Sequence, residues 1–210
     1  MDLAELLDGY GTAMRVRAGD IVFREGDPSG AAYGVVAGRI RIEVTTPTGG
    51  RLVLGVKEPG DLLGELGALD GSARSATAVA VDDVQLVQAS VDEFLRALEE
   101  EPGLAVDLLR RVSQDLRSAV DRTTVRASAD TTQRLAILLC DLSQRYGEVN
   151  GSGVHIDLAL TQEDVAGWIG ATREATARSL RTLRDGGCVT TGRRRIGVTD
   201  LTALQRAAVG

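Results

Sequence analysis

The chain has 210 residues and a net charge of −6, and 43% of its residues are hydrophobic and 26% charged. This balance is typical of a folded globular protein and excludes a disordered chain. The longest apolar runs, such as residues 135–140, are too short to span a membrane, and the acidic N-terminus lacks the features of a signal peptide, so we expect a cytoplasmic protein with no membrane partner.

The charge is distributed unevenly along the chain. Residues 1–102 carry a net charge of −9 and residues 103–210 a net charge of +3. Within residues 171–198, seven arginines are accompanied by only two acidic residues, Glu174 and Asp185. A basic segment on an acidic body predicts a phosphate-binding surface, and a solvated helix face is the alternative.

The N-terminal part consists of short apolar or alternating runs separated by glycine, proline and aspartate, from Val16 to about Ala89. Runs of this length with such separators predict a small antiparallel barrel or a double-sheet roll. The segment TPTGG at residues 46–50 predicts a hairpin turn between two of its strands.

A glycine-rich segment at residues 60–78 carries side chains suited to a phosphorylated ligand. Gly64, Glu65 and Leu66 can form a short helical turn whose free amides face an anion. Arg74 offers a planar fork to a phosphate and has no other evident role, Ser75 can donate to the same group, and Glu65 can accept from a ribose hydroxyl. The alternative is an ion pair between Glu65 and Arg74, but the pattern of Gly-Glu-Leu followed by Arg-Ser-Ala favours the pocket.

A narrow apolar stripe marks a long helix after the roll. Its members recur at steps of four and then three: Leu104, Leu108, Val112, Leu116, Val120 and Thr123. Charged residues flank the stripe on both sides, which favours pairing with another helix, including its own copy in a homodimer. The alternative is that the helix lies on its own roll.

A helix boundary is predicted near residue 130. Asp130 with Gln133 three residues later has the form of a helix N-cap and capping box, so a new helix begins there and runs to about Tyr146. Residues 127–130 are then the predicted hinge. We expect three segments: the roll over 1–102, the dimerisation helix and hinge over 103–129, and a C-terminal domain over 130–210.

The C-terminal domain begins with a loop and a strand. Residues 147–153, GEVNGSG, have the composition of a loop, and residues 154–160, VHIDLAL, alternate like a strand with one solvated face. His155, the one histidine of the chain, lies on that solvated face. A lone histidine without ligand residues at a suitable spacing does not predict a metal site.

Two short helices joined through Gly170 predict a helix-turn-helix. Thr161 can cap the first helix together with Asp164, and Thr172 can cap the second. The second helix places four charged residues on one face, beginning in its first turn: Arg173, Glu174, Arg178 and Arg181. The first turn of a recognition helix is the part that enters the major groove of DNA. After it, two short strands around a turn predict a wing whose tip carries Arg193, Arg194 and Arg195, which suit phosphate contacts.

The segment LTQEDVAGWIGATREATARSL at residues 160–180 resembles the helix-turn-helix of the cyclic-AMP receptor protein family of bacterial transcription regulators. The resemblance covers nearly the whole chain. It implies an α+β fold with an N-terminal cyclic-nucleotide-binding β-roll, a long dimerisation helix and a C-terminal winged helix-turn-helix. Thr176 and Ser179 stand where the family is usually more apolar, which predicts looser packing of the second helix, and Gln162 replaces a residue that is often basic.

The resemblance also implies the DNA chemistry. Arg173 and Arg178 would pair with guanines and Glu174 would accept from a cytosine amine, so the sites would be inverted repeats resembling TGTGA. Thr161, Thr172, Arg181 and Arg194 complete the predicted DNA-binding set. Implied partners are DNA, a second copy of the chain and RNA polymerase.

Cyclic AMP is the effector that the resemblance implies, bound through Gly64, Glu65, Leu66, Arg74 and Ser75. In the family's cyclic-AMP receptor protein a Thr and a Ser of the long helix reach the base; Ala119 and Val120 stand there in this chain. Ser118, Thr123 and Thr124 are the nearby hydroxyls, so the identity of the base stays open.

Other cofactors and other function classes fit the sequence less well. Both cysteines, Cys140 and Cys188, follow residue 139 and the roll has no histidine, so neither an iron-sulfur cluster nor haem is expected, and no metal site is expected either. A single histidine cannot supply a hydrolytic or metal centre, so we expect no enzyme. The alternative within the same class is a regulator whose roll binds no nucleotide and which acts through a protein partner or binds DNA constitutively.

Overall fold

The computed structural model describes residues 7, 9–47, 49–151, 153–192 and 195–209. The chain divides into two compact units, Met1–Ala119 and Val120–Gly210. Among the described residues, no helix is both long enough and apolar enough to cross a membrane.

The first unit contains two four-stranded antiparallel sheets. Their strands are β1 (Thr12–Val16), β2 (Ile21–Phe23), β3 (Ala31–Ala37), β4 (Ile40–Thr45), β5 (Arg51–Lys57), β6 (Leu62–Leu63), β7 (Thr77–Ala80) and β8 (Val84–Ser90). The sheet orders are β1-β8-β3-β6 and β2-β7-β4-β5. This arrangement confirms the double-sheet roll, and the predicted hairpin turn joins β4 to β5, where the Thr46 amide donates to the Gly50 carbonyl at 2.7 Å.

Three helices are interspersed with or follow these strands: α1 (Glu65–Asp70), α2 (Val91–Glu100) and the long α3 (Pro102–Ser128). The beginning of α3 is part of the core of the first unit. Leu104 and Leu108 are buried in one apolar cluster with Phe94 and Ala97 of α2, and Val112 packs against that cluster.

The prediction that the apolar stripe over residues 104–123 pairs with another helix is therefore wrong for its first half. The stripe pattern could not distinguish a helix lying on its own roll from a helix facing its copy, and the first three members of the stripe lie on the roll. The later members Leu116 and Val120 are exposed, and they share a face of α3 with other exposed residues at steps of three and four: Val106, Leu109 and Ser113. Leu109 is 67% exposed, Leu116 65% and Val120 58%, so this face is an apolar heptad stripe on the outside of the chain.

The helix predicted to begin near residue 130 is confirmed. Helix α4 (Thr131–Tyr146) starts at a capping box in which the Asp130 carboxylate accepts from the amides of Thr132 and Gln133, and the Gln133 side chain accepts from the Asp130 amide. Further elements are α5 (Gln162–Ile169), α6 (Arg173–Asp185) and α7 (Leu201–Val209). A four-stranded antiparallel sheet of order β11-β12-β10-β9 completes the unit, with β9 (Gly147–Asn150), β10 (Gly153–Ile156), β11 (Val189–Gly192) and β12 (Arg195–Val198).

Two local predictions in this unit were wrong. Residues 147–150 are a strand and not a loop, because they pair with β10 in a hairpin. The predicted strand over 154–160 ends at Ile156, although Leu158 and Leu160 beyond it are buried. Their burial produced the alternating pattern without a strand, since apolar residues spaced by two can also line the inside of a loop.

Candidate functional site

Arg74 lies inside the roll and makes several specific contacts. Its side chain is 5% exposed. Nη1 donates to the Gly64 carbonyl at 2.9 Å and Nη2 donates to the Ala31 carbonyl at 2.6 Å. The guanidinium carbon lies 4.3 Å from the centroid of the Phe23 ring and 5.6 Å from that of Tyr33. The expectation that Arg74 has no other role is therefore wrong, because the guanidinium ties β3 to the start of α1.

Gly64 allows this close approach. It has a left-handed backbone (φ 74°), and a Cβ placed on it would collide with the Arg74 guanidinium. Both conditions require glycine, since other residues rarely adopt this conformation. The Gly-Glu-Leu start of α1 and the side chain of Arg74 thus come together in space, as the sequence pattern predicted.

Glu65 is also buried, with 9% of its surface exposed. Among the described residues no ion pair links it to Arg74, so the alternative of a Glu65–Arg74 pair does not hold. Burial raises the pKa of the Glu65 carboxyl above its usual range; Lys57 opposes this shift and Asp115 adds to it. Lys57 and Asp115 themselves form an ion pair at 2.9 Å, so a charged pair of β5 and α3 lies near this carboxyl.

The two other predicted pocket residues of the roll are exposed. Leu66 follows Glu65 in α1 and is 45% exposed, and Ser75 follows Arg74 directly. Thr123 and Thr124, predicted near the base, lie on the part of α3 that belongs to the second unit, where the Thr124 hydroxyl donates to the Val120 carbonyl.

Both threonines predicted to cap the helix-turn-helix do so. The Thr161 hydroxyl accepts from the Asp164 amide at 3.1 Å and donates to the Asp164 carboxylate at 2.6 Å. The Thr172 hydroxyl accepts from the Ala175 amide at 3.1 Å. Gly170 ends α5 in the left-handed conformation (φ 61°), which turns the chain into α6.

The exposed face of α6 carries the predicted charged residues: Arg173, Glu174, Arg178 and Arg181. None of these four side chains forms an ion pair with another described residue. The opposite face is buried and includes Leu180 and Leu183. Thus α6 presents three guanidinium groups and one carboxylate to solvent, beginning at its first turn.

The predicted looseness of α6 is offset by hydrogen bonds. Thr176 is fully buried and its hydroxyl donates to the Thr172 carbonyl at 3.0 Å. The Ser179 hydroxyl lies 3.0 Å from the Thr132 hydroxyl of α4. Both buried polar groups are therefore satisfied, which avoids the cost of an unpaired hydroxyl.

Strands β11 and β12 form the predicted wing, with Gly192 opposite Arg195. Arg193 and Arg194, predicted at its tip, lie outside the described residues. Arg195 opens β12 and is exposed.

One contact beneath the helix-turn-helix was missed by sequence reasoning. Nη2 of Arg126, near the end of α3, donates to the Trp168 carbonyl at 3.5 Å, and its side chain packs against Gly170. Burial lowers the pKa of the Arg126 guanidinium, and Arg122 and Arg134 lower it further. The sequence signal for this contact was the group of arginines at 122, 126 and 134, whose role the apolar stripe does not account for.

Comparison with known proteins matches both units. The sequence model of the cyclic nucleotide-binding domain matches residues 13–101, and that of the Crp-like helix-turn-helix domain matches residues 133–207. The chain belongs to the CRP/FNR family of transcription regulators. Arg74 lies in the part matched by the cyclic nucleotide-binding domain. Helices α5 and α6 and the wing lie in the part matched by the helix-turn-helix domain.

Individual members of the CRP/FNR family match over most of their length. The CRP-like cAMP-activated global transcriptional regulator of Mycobacterium tuberculosis (strain CDC 1551 / Oshkosh) is 28% identical over 90% of this chain and 85% of its own. The global nitrogen regulator of Synechococcus elongatus is 29% identical over 90% and 86%. A CRP/FNR-family transcriptional regulator of Thermus thermophilus of known structure is 27% identical, with a TM-score of 0.79 and coverage of 95% and 99%. The chain is thus a DNA-binding transcription regulator, and these relatives are regulators rather than enzymes.

Proposed function

We propose that the protein is a homodimeric regulator that reads TGTGA-like inverted repeats and is controlled by a cyclic nucleotide, with cyclic AMP as the effector. The observation that carries the proposal is the solvent face of α6, where Arg173, Glu174 and Arg178 stand without ion-pair partners among the described residues. We place its action in the cytoplasm, on DNA and together with RNA polymerase.

The residue types on α6 suit base recognition. An arginine guanidinium can donate two parallel bonds to O6 and N7 of guanine, and a carboxylate can accept from N4 of cytosine. Arg173 and Arg178 are therefore assigned to guanines and Glu174 to the cytosine opposite one of them. Thr161 and Thr172 are assigned to the DNA backbone together with the free first amides of their helices, and Arg181 and Arg194 are assigned to phosphates.

The nucleotide is assigned to the roll around Arg74. The amides at Gly64, Glu65 and Leu66 would hold the cyclic phosphate together with Arg74 and Ser75, and Glu65 would accept from the ribose hydroxyl. Thr123 and Thr124 are the candidate contacts to the base. The named M. tuberculosis relative, which is cAMP-activated, supports this choice of effector.

The exposed heptad stripe of α3 supports the homodimer. Its large apolar members, Leu109, Leu116 and Val120, are each more than half exposed in the single chain. Two copies of this stripe can pack against each other as a coiled coil, which removes those side chains from water. If the two copies of α6 are related by the two-fold axis of the dimer, they must meet successive major grooves, so the half-site centres would lie about 34 Å apart.

A second candidate is the same DNA-binding regulator with a roll that needs no nucleotide. The contacts of Arg74 favour it, because the fork that would bind a phosphate already donates to the carbonyls of Gly64 and Ala31. Such a roll would act through a protein partner or leave DNA binding constitutive.

The test is a titration of a labelled duplex carrying two TGTGA half-sites, followed by fluorescence anisotropy at fixed salt, with and without cyclic AMP. We expect the duplex to bind at least about 1,000-fold more tightly than one with scrambled half-sites, and only when cyclic AMP is present. Equal affinity for both duplexes would reject the readout. Preference without any effect of cyclic AMP would support the second candidate.

A further inference from the structure

The sheet of the second unit has one buried face and one solvent face. Val189, Ile196 and Val198 are buried, and so is Ile156 of β10. Because side chains alternate along a strand, their neighbours point to the opposite, solvent side. Thr190 of β11, Gly197 of β12 and His155 of β10 lie directly opposite one another in the register and therefore form one row on that side.

This row forms a hollow, because its middle residue has no side chain. A Cβ placed on Gly197 would lie 2.8 Å from the Thr190 hydroxyl oxygen, so the missing side chain leaves room for that hydroxyl beside the row. Gly192, which pairs with Arg195, is the next residue of β11 on this face and also has no side chain. The hollow has a volume of about 290 Å³ and its polar lining is His155, Thr190, Thr191, Arg195 and Thr199.

Backbone conformation does not explain the glycine at 197. Gly197 lies inside a paired strand, and its φ is outside the left-handed range that favours glycine. A glycine inside a strand costs stability, and it often marks a place where another group approaches the backbone closely.

The lining of the hollow is rich in donors and contains no carboxylate among the described residues. Arg195 is exposed and forms no ion pair with another described residue, and no hydrogen bond from its side chain is present among them. The Thr199 hydroxyl already donates to the Gly187 carbonyl, whereas the Thr190 hydroxyl has no partner in the described part of the chain. Two carboxylates lie close to this row in the chain or in the register, and neither is part of the lining: that of Glu148, opposite His155 on β9, and that of Asp157, two residues after His155.

We propose that this hollow is a phosphate-binding site, in which the Arg195 guanidinium, an imidazole N–H of His155 and the Thr190 hydroxyl donate to the phosphate oxygens. A guanidinium matches phosphate geometry, and the two other donors, His155 and Thr190, lie on either side of Gly197. The ligand is a small phosphorylated molecule, since contact of the wing with the DNA backbone is already part of the predicted DNA interface and is the alternative outcome of the test below. The site is separate from the nucleotide pocket of the roll and from the base-reading face of α6.

The single histidine makes this site directly observable. His155 is the only histidine of the chain, so its imidazole NMR signals need no further assignment. Inorganic phosphate is titrated into the full-length protein at constant pH and constant ionic strength, with chloride as the counter-titrant. We expect the His155 signals to move along a saturating curve with phosphate and to stay in place with chloride.

Three variants test the assignment. Arg195→Ala removes the guanidinium and Gly197→Ala adds a methyl group to the row without changing charge, so both should weaken phosphate binding about tenfold or more. Arg206→Ala removes an exposed arginine from α7 of the same unit and should titrate like the native protein. A melting curve of each variant checks that it is folded, and Thr190→Val provides a fourth, milder change if Gly197→Ala fails to fold.

A second arm identifies the source of the phosphate. In phosphate-free buffer, a duplex bearing the preferred sites is added to the native protein and to Arg195→Ala. If free phosphate moves the signals, the ligand is a small phosphorylated molecule. If only DNA moves them, and Arg195→Ala lowers the salt slope by about 1 while Arg206→Ala does not, the surface is a wing contact with the DNA backbone and the small-molecule site is rejected. No movement in either arm, or native-like phosphate titration of Arg195→Ala, overturns the site.

Discussion

Replacement of Arg74 by alanine should both destabilise the roll and abolish its response to cyclic AMP. In the structure the guanidinium donates to the carbonyls of Ala31 and Gly64 and lies 4.3 Å from the centroid of the Phe23 ring. A hydrogen bond from a charged group contributes about 1.5–3 kcal/mol, and a cation–π contact about 0.5–2 kcal/mol. A buried charge also costs free energy to desolvate, so its removal offsets part of the lost stabilisation. We therefore expect the free energy of unfolding to fall by about 2–4 kcal/mol.

The assay for Arg74→Ala is urea unfolding followed by far-UV circular dichroism, which reports the secondary structure of the roll together with that of the other unit. Tryptophan fluorescence is unsuitable because the one tryptophan, Trp168, lies in α5 of the other unit. Arg15→Ala is the matched control: Arg15 is an exposed arginine of β1, and its removal should change stability by no more than about 0.5 kcal/mol. Cyclic AMP should raise the midpoint of the native protein and of the control, but not that of Arg74→Ala. An Arg74→Ala protein as stable as the control would refute the structural role, and retained stabilisation by cyclic AMP would refute the pocket.

Single side chains on the long helix, on α6 and in the roll carry three further predictions. Leu116→Asp places a charge on the exposed stripe of α3, and light scattering should report a monomer in place of the native dimer; a native monomer would refute the interface. Arg178→Ala should cost about 1–3 kcal/mol of DNA affinity and relax the preference at one base pair, whereas Arg194→Ala should weaken all sequences alike, as competition with mismatched duplexes can measure. Burial raises the pKa of Glu65 in the folded state, so the native protein should lose stability as pH rises through the interval between the unfolded and the raised folded pKa. Urea unfolding across that interval should show a smaller loss for Glu65→Gln, and an identical loss would contradict the burial.

Features set by neighbouring residues were predictable from the sequence. The capping boxes at Asp130 and Thr161 and the cap at Thr172 involve residues two or three positions apart, and all three were confirmed. The charged face of α6 followed from the helical period alone. In these cases the physical cause of the structure lies within a few residues of the feature itself.

Features set by distant residues were not predictable. The Arg74 guanidinium bonds to Ala31, 43 residues away, and no sequence pattern indicates that contact. Leu104 and Leu108 were predicted to face a partner helix, but they pack on the roll. Spacing shows which residues share a face of a helix and not what covers that face. Strand β9 was missed because its polar sequence pairs with β10 through backbone groups.

Selection of binding sites from random DNA, run with and without cyclic AMP, tests sequence-specific and ligand-controlled DNA recognition most directly. We expect an inverted repeat with TGTGA-like half-sites whose centres lie about one helical turn apart, recovered when cyclic AMP is present and depleted when it is absent. Recovery of no inverted repeat in either condition would contradict base recognition by α6, and equal recovery in both would contradict control by the nucleotide.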